Sequence, residues 1–233
     1  LTTGESVVAI FRYVVSDDQS STDTGVVSVT VLGINDAPTA TTDSLELTET
    51  SAPLAIDLRL NDSDPEDLVT ELSIAGLAAG DATGIVTLDS STNLVTYDPA
   101  GRFQHLGIGE TALDGFTYTL VDRDGATATG SVELLITGVN DRPVATPGSF
   151  AYTEGDGPSR IDLADLVVDP DGDELTLSDI TVTSYGDGID LTFTDGRFGD
   201  YPGGNEGLAA GETVTLTLSF NADDGHGLGT VPF

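Results

Sequence analysis

Apolar and hydroxylated residues alternate along this chain in short runs. Phe116, Tyr118 and Leu120 are separated by Thr117 and Thr119, and Val214, Leu216, Leu218 and Phe220 by Thr215, Thr217 and Ser219. A period of two sends successive side chains to opposite faces of a strand, so each run predicts a strand with one apolar and one hydroxylated face. Val27, Val29 and Val31 predict a further strand, as do Val132, Leu134 and Ile136, and each of these ends just before a Gly-x-Asn-Asp. Tyr185 to Leu191 reads as a hairpin. No segment combines a helical period with caps, and the pattern predicts all-β sandwiches with Greek-key connections.

The strands recur at a fixed distance of 105 residues. Phe11-Arg12-Tyr13 answers to Phe116-Thr117-Tyr118, Gly33-Ile34-Asn35-Asp36-Ala37-Pro38 to Gly138-Val139-Asn140-Asp141-Arg142-Pro143, and Asp64-Pro65-Glu66 to Asp169-Pro170-Asp171. Glu49 and Asp57 match Glu154 and Asp162 at the same offset. Beyond the middle unit the spacing tightens to 102, from Gly109-Glu110 to Gly211-Glu212, as a loop deletion would cause. An array of repeated units explains such register better than one fold does.

Each Asn-Asp-x-Pro closes an apolar strand, and proline favours an extended link at the residue before it. The expected units are 1–36, the closing part of a repeat; 37–141, a complete one; and 142–233, a repeat without its last strand. Leu1 opens in mid-pattern, so the chain reads as an excerpt. Incomplete sandwiches leave sheet edges open, and residues 26–32 of one molecule completing the third unit of another is one way to close them.

Forty acidic residues against seven basic ones, all arginine, give a net charge of −33. Acids outnumber bases in all three expected units. Such a field repels nucleic acid and anionic membranes, and no run of apolar residues is long enough for a membrane span. A hydrophobic content of 38% with strict strand patterning separates the chain from a disordered acidic tail. With no cysteine, no disulfide can staple a unit, so stability rests on packing or on bound ions.

The acids gather at turns. Asp62, Asp64, Glu66 and Asp67 form one group and Asp169, Asp171 and Asp173 the next; Asp17, Asp122 and Asp224 each follow a strand. Two unit charges 4 Å apart repel by about 1 kcal/mol in water and about 4 at an effective dielectric of 20, so a shared cation is the natural compensation. Calcium suits the set, since it takes six to eight hard oxygens at flexible geometry. An isolated Asp-x-Asp would be read as a solvated turn, but repetition favours ligation. The group is not an EF-hand, because Glu174 occupies the required glycine position, and the single loose match to a calcium β-roll at Gly186–Phe193 is broken at Thr192.

Phe103-Gln104, Gly109-Glu110, Phe116-Thr117-Tyr118-Thr119, Asp122, Gly138 and Asn140-Asp141-Arg142-Pro143 resemble the cadherin-like repeats, often called VCBS repeats, of large bacterial adhesins. The resemblance implies calcium between successive domains. One set would be Asn35, Asp36, Asp62, Asp64, Glu66 and Asp122; the other would be Asn140, Asp141, Asp169, Asp171, Asp173 and Asp224, with Glu49 reaching forward from the middle unit. Leu68 stands where the other set has Asp173, and His226 where the middle unit has Asp124, so the two sets are expected to differ in ion count. The implied protein is a calcium-rigidified extender of a secreted or cell-surface adhesin, its partners calcium, neighbouring repeats, and glycans or further copies of itself.

Other functions fit less well. Glycoside hydrolysis needs paired carboxylates about a bound sugar, whereas these acids fall on turns, and neither His105 nor His226 stands in a catalytic motif. A carbohydrate-binding module needs exposed aromatics, of which only Tyr185, Phe198 and Tyr201, about a glycine-rich stretch, are candidates. Adaptation to a salty habitat would scatter acids over exposed faces, and this chain has scattered acids as well as clustered ones.

Overall fold

In the computed structural model the described residues are 1–146, 148, 150, 159–185, 192–201, 215–227 and 231–232. The expected hairpin at Tyr185–Leu191, the glycine-rich stretch after Tyr201, and Glu154, Gly211, Glu212 and Val214 lie wholly or mostly outside them. By its internal contacts the chain divides into two units. The first holds Leu1–Leu47, Ser51–Ala100 and Leu113–Leu135; the second holds Thr48–Thr50, Gly101–Ala112 and Ile136–Phe233.

The chain is built of strands. A hairpin comes first, β1 (Ser6–Ser16) and β2 (Thr22–Leu32), antiparallel in continuous register from Ser6–Leu32 to Ser16–Thr22. Then follow β3 (Asp43–Thr48), β4 (Leu54–Ile56), β5 (Ser73–Ala78), β6 (Ile85–Asp89), β7 (Leu94–Asp98), β8 (Thr111–Val121) and β9 (Thr127–Thr137). They form a four-stranded sheet in the order β3-β9-β8-β5 and a three-stranded sheet β4-β7-β6. Strands of both sheets supply the buried core residues, including Val95 and Tyr97 from β7, Phe116, Tyr118 and Leu120 from β8, and Val132 and Leu134 from β9. The alternation in β8 and β9 is met residue by residue, as expected of a sheet with one face on a core. Burial of each such large apolar side chain contributes about 1.5–3 kcal/mol.

In the second unit are β10 (Val144–Ala145), β11 (Ser159–Asp162), β12 (Val167–Val168), β13 (Thr176–Tyr185), β14 (Thr192–Thr194), β15 (Phe198–Tyr201), β16 (Thr215–Asp223) and β17 (Val231–Pro232). Their sheets are β10-β12, β11-β15-β14 and β13-β16-β17. The core here joins Ile161, Leu163, Val167, Phe220 and Ala222, with Leu166, Leu175, Leu177, Ile180 and Phe193 packed against it.

Two 3-10 turns, Leu58–Asn61 and Leu163–Leu166, explain the echo of Asp57 in Asp162. Each aspartate caps its turn, accepting from the backbone N–H two residues on, and each turn buries its first leucine, Leu58 or Leu163. The capping carboxylate also receives an arginine fork, from Arg59 at 2.8 and 2.9 Å for Asp57 and from Arg197 at 2.6 and 2.6 Å for Asp162. The guanidinium comes from within the turn in one unit and from the β14–β15 hairpin in the other. In both cases the pairing holds the aspartate below the usual carboxylate range.

Candidate metal centre

The most concentrated acidic site lies in the second unit. Gly138 ends β9 by pressing against the carbonyls of Leu106 and Gly107, where any Cβ would overlap them, and its N–H donates to the Glu110 carbonyl at 2.8 Å. Only glycine permits that approach. The next N–H, of Val139, donates to Glu49 Oε1 at 2.7 Å, and the Glu49 N–H itself donates to the Thr137 carbonyl. Glu49 is thereby buried to 2% exposure with its second oxygen, Oε2, unpartnered.

The Asp-Pro-Asp turn adds its own carboxylates. Asp169 Oδ1 accepts from the N–H groups of Asp171 and Asp173, which closes the turn around Gly172 and leaves the buried Oδ2 without a partner. Asp171 Oδ2 accepts from the Asp141 N–H at 2.9 Å, drawing the segment after β9 onto the turn. Carboxylate oxygens of Glu49, Asp141 and Asp171 lie within 4.8 Å of one another, as do those of Asp169, Asp171 and Asp173. Besides Glu49 Oε2 and Asp169 Oδ2, Asp141 Oδ2, Asp171 Oδ1 and Asn140 Oδ1 are buried and accept nothing.

These oxygens repel one another. Burial first, then the charges of Asp141 and Asp171, raise the Glu49 carboxyl above its ordinary value; burial and the charges of Asp171 and Asp169 do the same to Asp141. Asn140 donates through Nδ2 to Asp224 Oδ2 at 2.9 Å, and that bond, with the N–H of His226, pulls Asp224 down. His226 Nε2 stands 3.2 Å from Asp173 Oδ2.

The first unit repeats the scaffold with fewer acids. Asn35 Nδ2 donates to Asp122 Oδ2 at 2.7 Å, as Asn140 does to Asp224; the Asp36 N–H donates to Glu66 Oε2 at 3.2 Å, as Asp141 does to Asp171. Asp64 Oδ1 accepts from Glu66 and Asp67, leaving Oδ2 buried and unpartnered. Leu68, in the place of Asp173, is 70% exposed. Among the described residues no three carboxylates of this unit converge as those of the second do. The aspartates after the strands are alike: Asp17, Asp122 and Asp224 each accept through Oδ1 from backbone N–H groups of the following turn.

Asp62 is held elsewhere. It is buried and accepts the Tyr118 hydroxyl at 3.1 and 3.0 Å and the Thr41 N–H at 2.8 Å, partners that lie outside the Asn35–Glu66 group; Tyr118 also reaches Asp43 at 3.4 Å. Sequence reasoning placed Asp62 with its acidic neighbours and missed Asp43 altogether. A signal existed, because at the same offsets Val167 replaces Asp62 and Phe220 replaces Tyr118. Two polar residues that become apolar together mark a buried pair. Phe198, read as a candidate sugar platform, is instead covered by the guanidinium groups of Arg160 and Arg197 at 4.1 and 5.1 Å.

Residues 35–134 match the family model of a bacterial Ig domain. Among solved structures, repeats 22–24 of mouse cadherin-23 are similar at 16% identity, over 91% of this chain and 68% of that one, with a TM-score of 0.46. Extracellular domains 1–5 of protocadherin gamma B2 are similar at 15% identity, over 99% of this chain and 44% of theirs, with a TM-score of 0.44. Domains 1–4 of protocadherin gamma B7 are similar at 14% identity, over 99% of this chain and 66% of theirs, at 0.39. The chain thus spans less than two thirds of the length of both protocadherin structures. No curated protein matches the sequence. The fold is all-β and Ig-like, and no helix among the described residues is long and apolar enough to cross a membrane.

Proposed function

We propose that this chain is a calcium-rigidified extender of a bacterial cell-surface or secreted adhesin, built of repeats at 1–36, 37–141 and 142–233. The observation that carries the reading is the set of buried oxygens without partners, Glu49 Oε2, Asp141 Oδ2, Asp169 Oδ2, Asp171 Oδ1 and Asn140 Oδ1. Buried polar atoms are ordinarily satisfied, and an unpaired carboxylate oxygen in the interior costs a good part of its hydration. Five such atoms, all hard oxygens and four of them on acids, fit calcium as ligands.

Glu49, Asp141, Asp169, Asp171 and Asp173 would hold the ion or ions in the second unit, with Asn140 offering an amide oxygen. Asp36, Asp64 and Glu66 would form a weaker site in the first unit. Bound calcium would neutralise the mutual repulsion and fix the Asn-Asp linkers, which are otherwise tethered by single hydrogen bonds to the turns. Extracellular modules hold calcium with dissociation constants of roughly 0.1–1 mM. Calcium at ten times its dissociation constant adds about 1.4 kcal/mol per site, a useful increment for sandwiches without disulfides.

Calorimetric titration of the chelated chain with calcium tests the assignment, with small-angle scattering of both end states. Heat of binding that Asp171→Asn diminishes, together with a longer and narrower particle in calcium, is the expected result. Absence of binding at 10 mM calcium would remove the ion from the account, and binding with unchanged scattering would remove its mechanical role.

A further inference from the structure

The chain has two histidines, and both lie beside the acidic centre of the second unit. His105 flanks Glu49, where its charge offsets part of what burial does to that carboxyl. His226 comes closer to the turn acids, with Nε2 3.2 Å from Asp173 Oδ2. The turn after β16 sets it there. Asp223 Oδ1 accepts the Gly225 N–H and Asp224 Oδ1 the His226 N–H, each at 2.8 Å, and the glycines on either side of His226 both have φ of +80°. Asp173 is fixed from its own side, its N–H donating to Asp169 Oδ1. One repeat earlier the two positions are Asp124 and Leu68, so imidazole and carboxylate change together.

Calcium takes oxygen ligands and has no use for this nitrogen. Imidazole suits zinc and its neighbours in the transition series, and carboxylates complete such mixed sites. Two donors bound at 2.0–2.1 Å to a tetrahedral zinc stand about 3.3 Å apart, close to the His226–Asp173 separation. A plain hydrogen bond has much the same length, so the separation alone does not decide. The independent observation is Asp169, which is 7% exposed and whose Oδ2 accepts nothing, although its carboxylate converges with those of Asp171 and Asp173 to within 4.8 Å. Asp171 Oδ1 is likewise buried without a partner. We infer that Asp169, Asp171, Asp173 and His226 form a mixed oxygen and nitrogen site for a divalent transition metal of the zinc class. The inference rests on the reading of this cluster as a cation centre: calcium would use the oxygens alone, and zinc gains the imidazole.

Zinc chloride titrated calorimetrically into the chelator-stripped full chain at pH 7.5, with calcium titrated into a separate sample, tests the site. The parent binds zinc, and zinc shifts the His226 Nε2 resonance. His226→Gln lowers zinc affinity at least tenfold and leaves calcium affinity within twofold. Asp173→Asn lowers zinc affinity likewise, His105→Gln does not, and urea midpoints in chelator show that the variants fold. Equal zinc affinity in the parent and His226→Gln, the mark of adventitious binding by surface acids, overturns the inference, as does a parent that binds no zinc at 1 mM. A His226→Gln variant that loses zinc and calcium alike overturns it too, since the imidazole would then only position Asp173. Zinc binding that requires His226 in a chain indifferent to calcium upholds this site and removes calcium; the reverse pattern removes this site and leaves calcium in place.

Discussion

The Tyr118 hydroxyl donates to both oxygens of Asp62 inside the first unit, and one repeat later the two residues are Phe220 and Val167. A buried hydroxyl and carboxylate that satisfy each other can be exchanged for two apolar groups only together. Removing one partner leaves the other unsatisfied at a cost of roughly 1–3 kcal/mol. Asp62→Val should therefore destabilise the chain markedly. Adding Tyr118→Phe should recover part of the loss, a non-additivity readable from urea unfolding of the two single variants and the double.

Asp43 makes stability depend on pH. Burial, and secondarily the Asp62 charge, push its carboxyl up to about 6 from 3.8. The folded state thus holds this proton more tightly than the unfolded one, so the group's contribution is complete below pH 3.8 and is lost as pH rises towards 6. Asp43→Asn should flatten that part of the curve. Urea midpoints at pH 4.5 and 7, compared between parent and variant, isolate the contribution from the carboxylates that titrate in the opposite sense.

Calcium should stabilise the chain through unequal sites. Glu49→Gln and Asp169→Asn are each expected to weaken the tighter binding step at least tenfold and to shrink the calcium-induced rise in Tm. Asp64→Asn should touch only the weaker step. Because burial and neighbouring charge raise the Glu49 and Asp141 carboxyls, protons compete with the ion, and affinity should fall as the solution is acidified. Titrations at pH 7.5 and 5 check the direction, and equal affinities would remove Glu49 and Asp141 from the ligand set.

Gly138→Ala probes the scaffold rather than the ligands. The new methyl group must displace the Leu106 and Gly107 carbonyls, which breaks the Gly138–Glu110 bond and moves the Val139 N–H away from Glu49. A loss of about 2 kcal/mol or more in stability is expected from the overlap. Calcium affinity should fall as well, although no ligand has changed; a variant with parental affinity would show that Glu49 is held by other means.

The strands could be read from the sequence because their signal is local: in β8, the alternation of Phe116, Tyr118 and Leu120 with threonines states which face is buried. That Asn35 would meet Asp122, and Asn140 Asp224, was implied by the resemblance to cadherin-like repeats, which groups them as ligands; the direct hydrogen bonds between them were not legible in the sequence. Asp62 could not be separated from Asp64 in that way. Both sit in one acidic run, and whether a turn aspartate aims outward or at a buried tyrosine depends on strands far off in sequence. The arginine partners were hidden for the same reason, with Asp57 served from its own turn and Asp162 from Arg197.

The chain contains neither cysteine nor lysine, its cations being guanidinium groups such as those that clasp Asp57 and Asp162. Neither a disulfide nor a lysine isopeptide bond can therefore bridge its strands, and no covalent staple limits how far a repeat extends under load. A stretched repeat gives way by releasing reversible contacts. In the extender role proposed above, such a repeat would absorb work as it lengthens and recover its shape when tension drops, which gives toughness rather than stiffness alone.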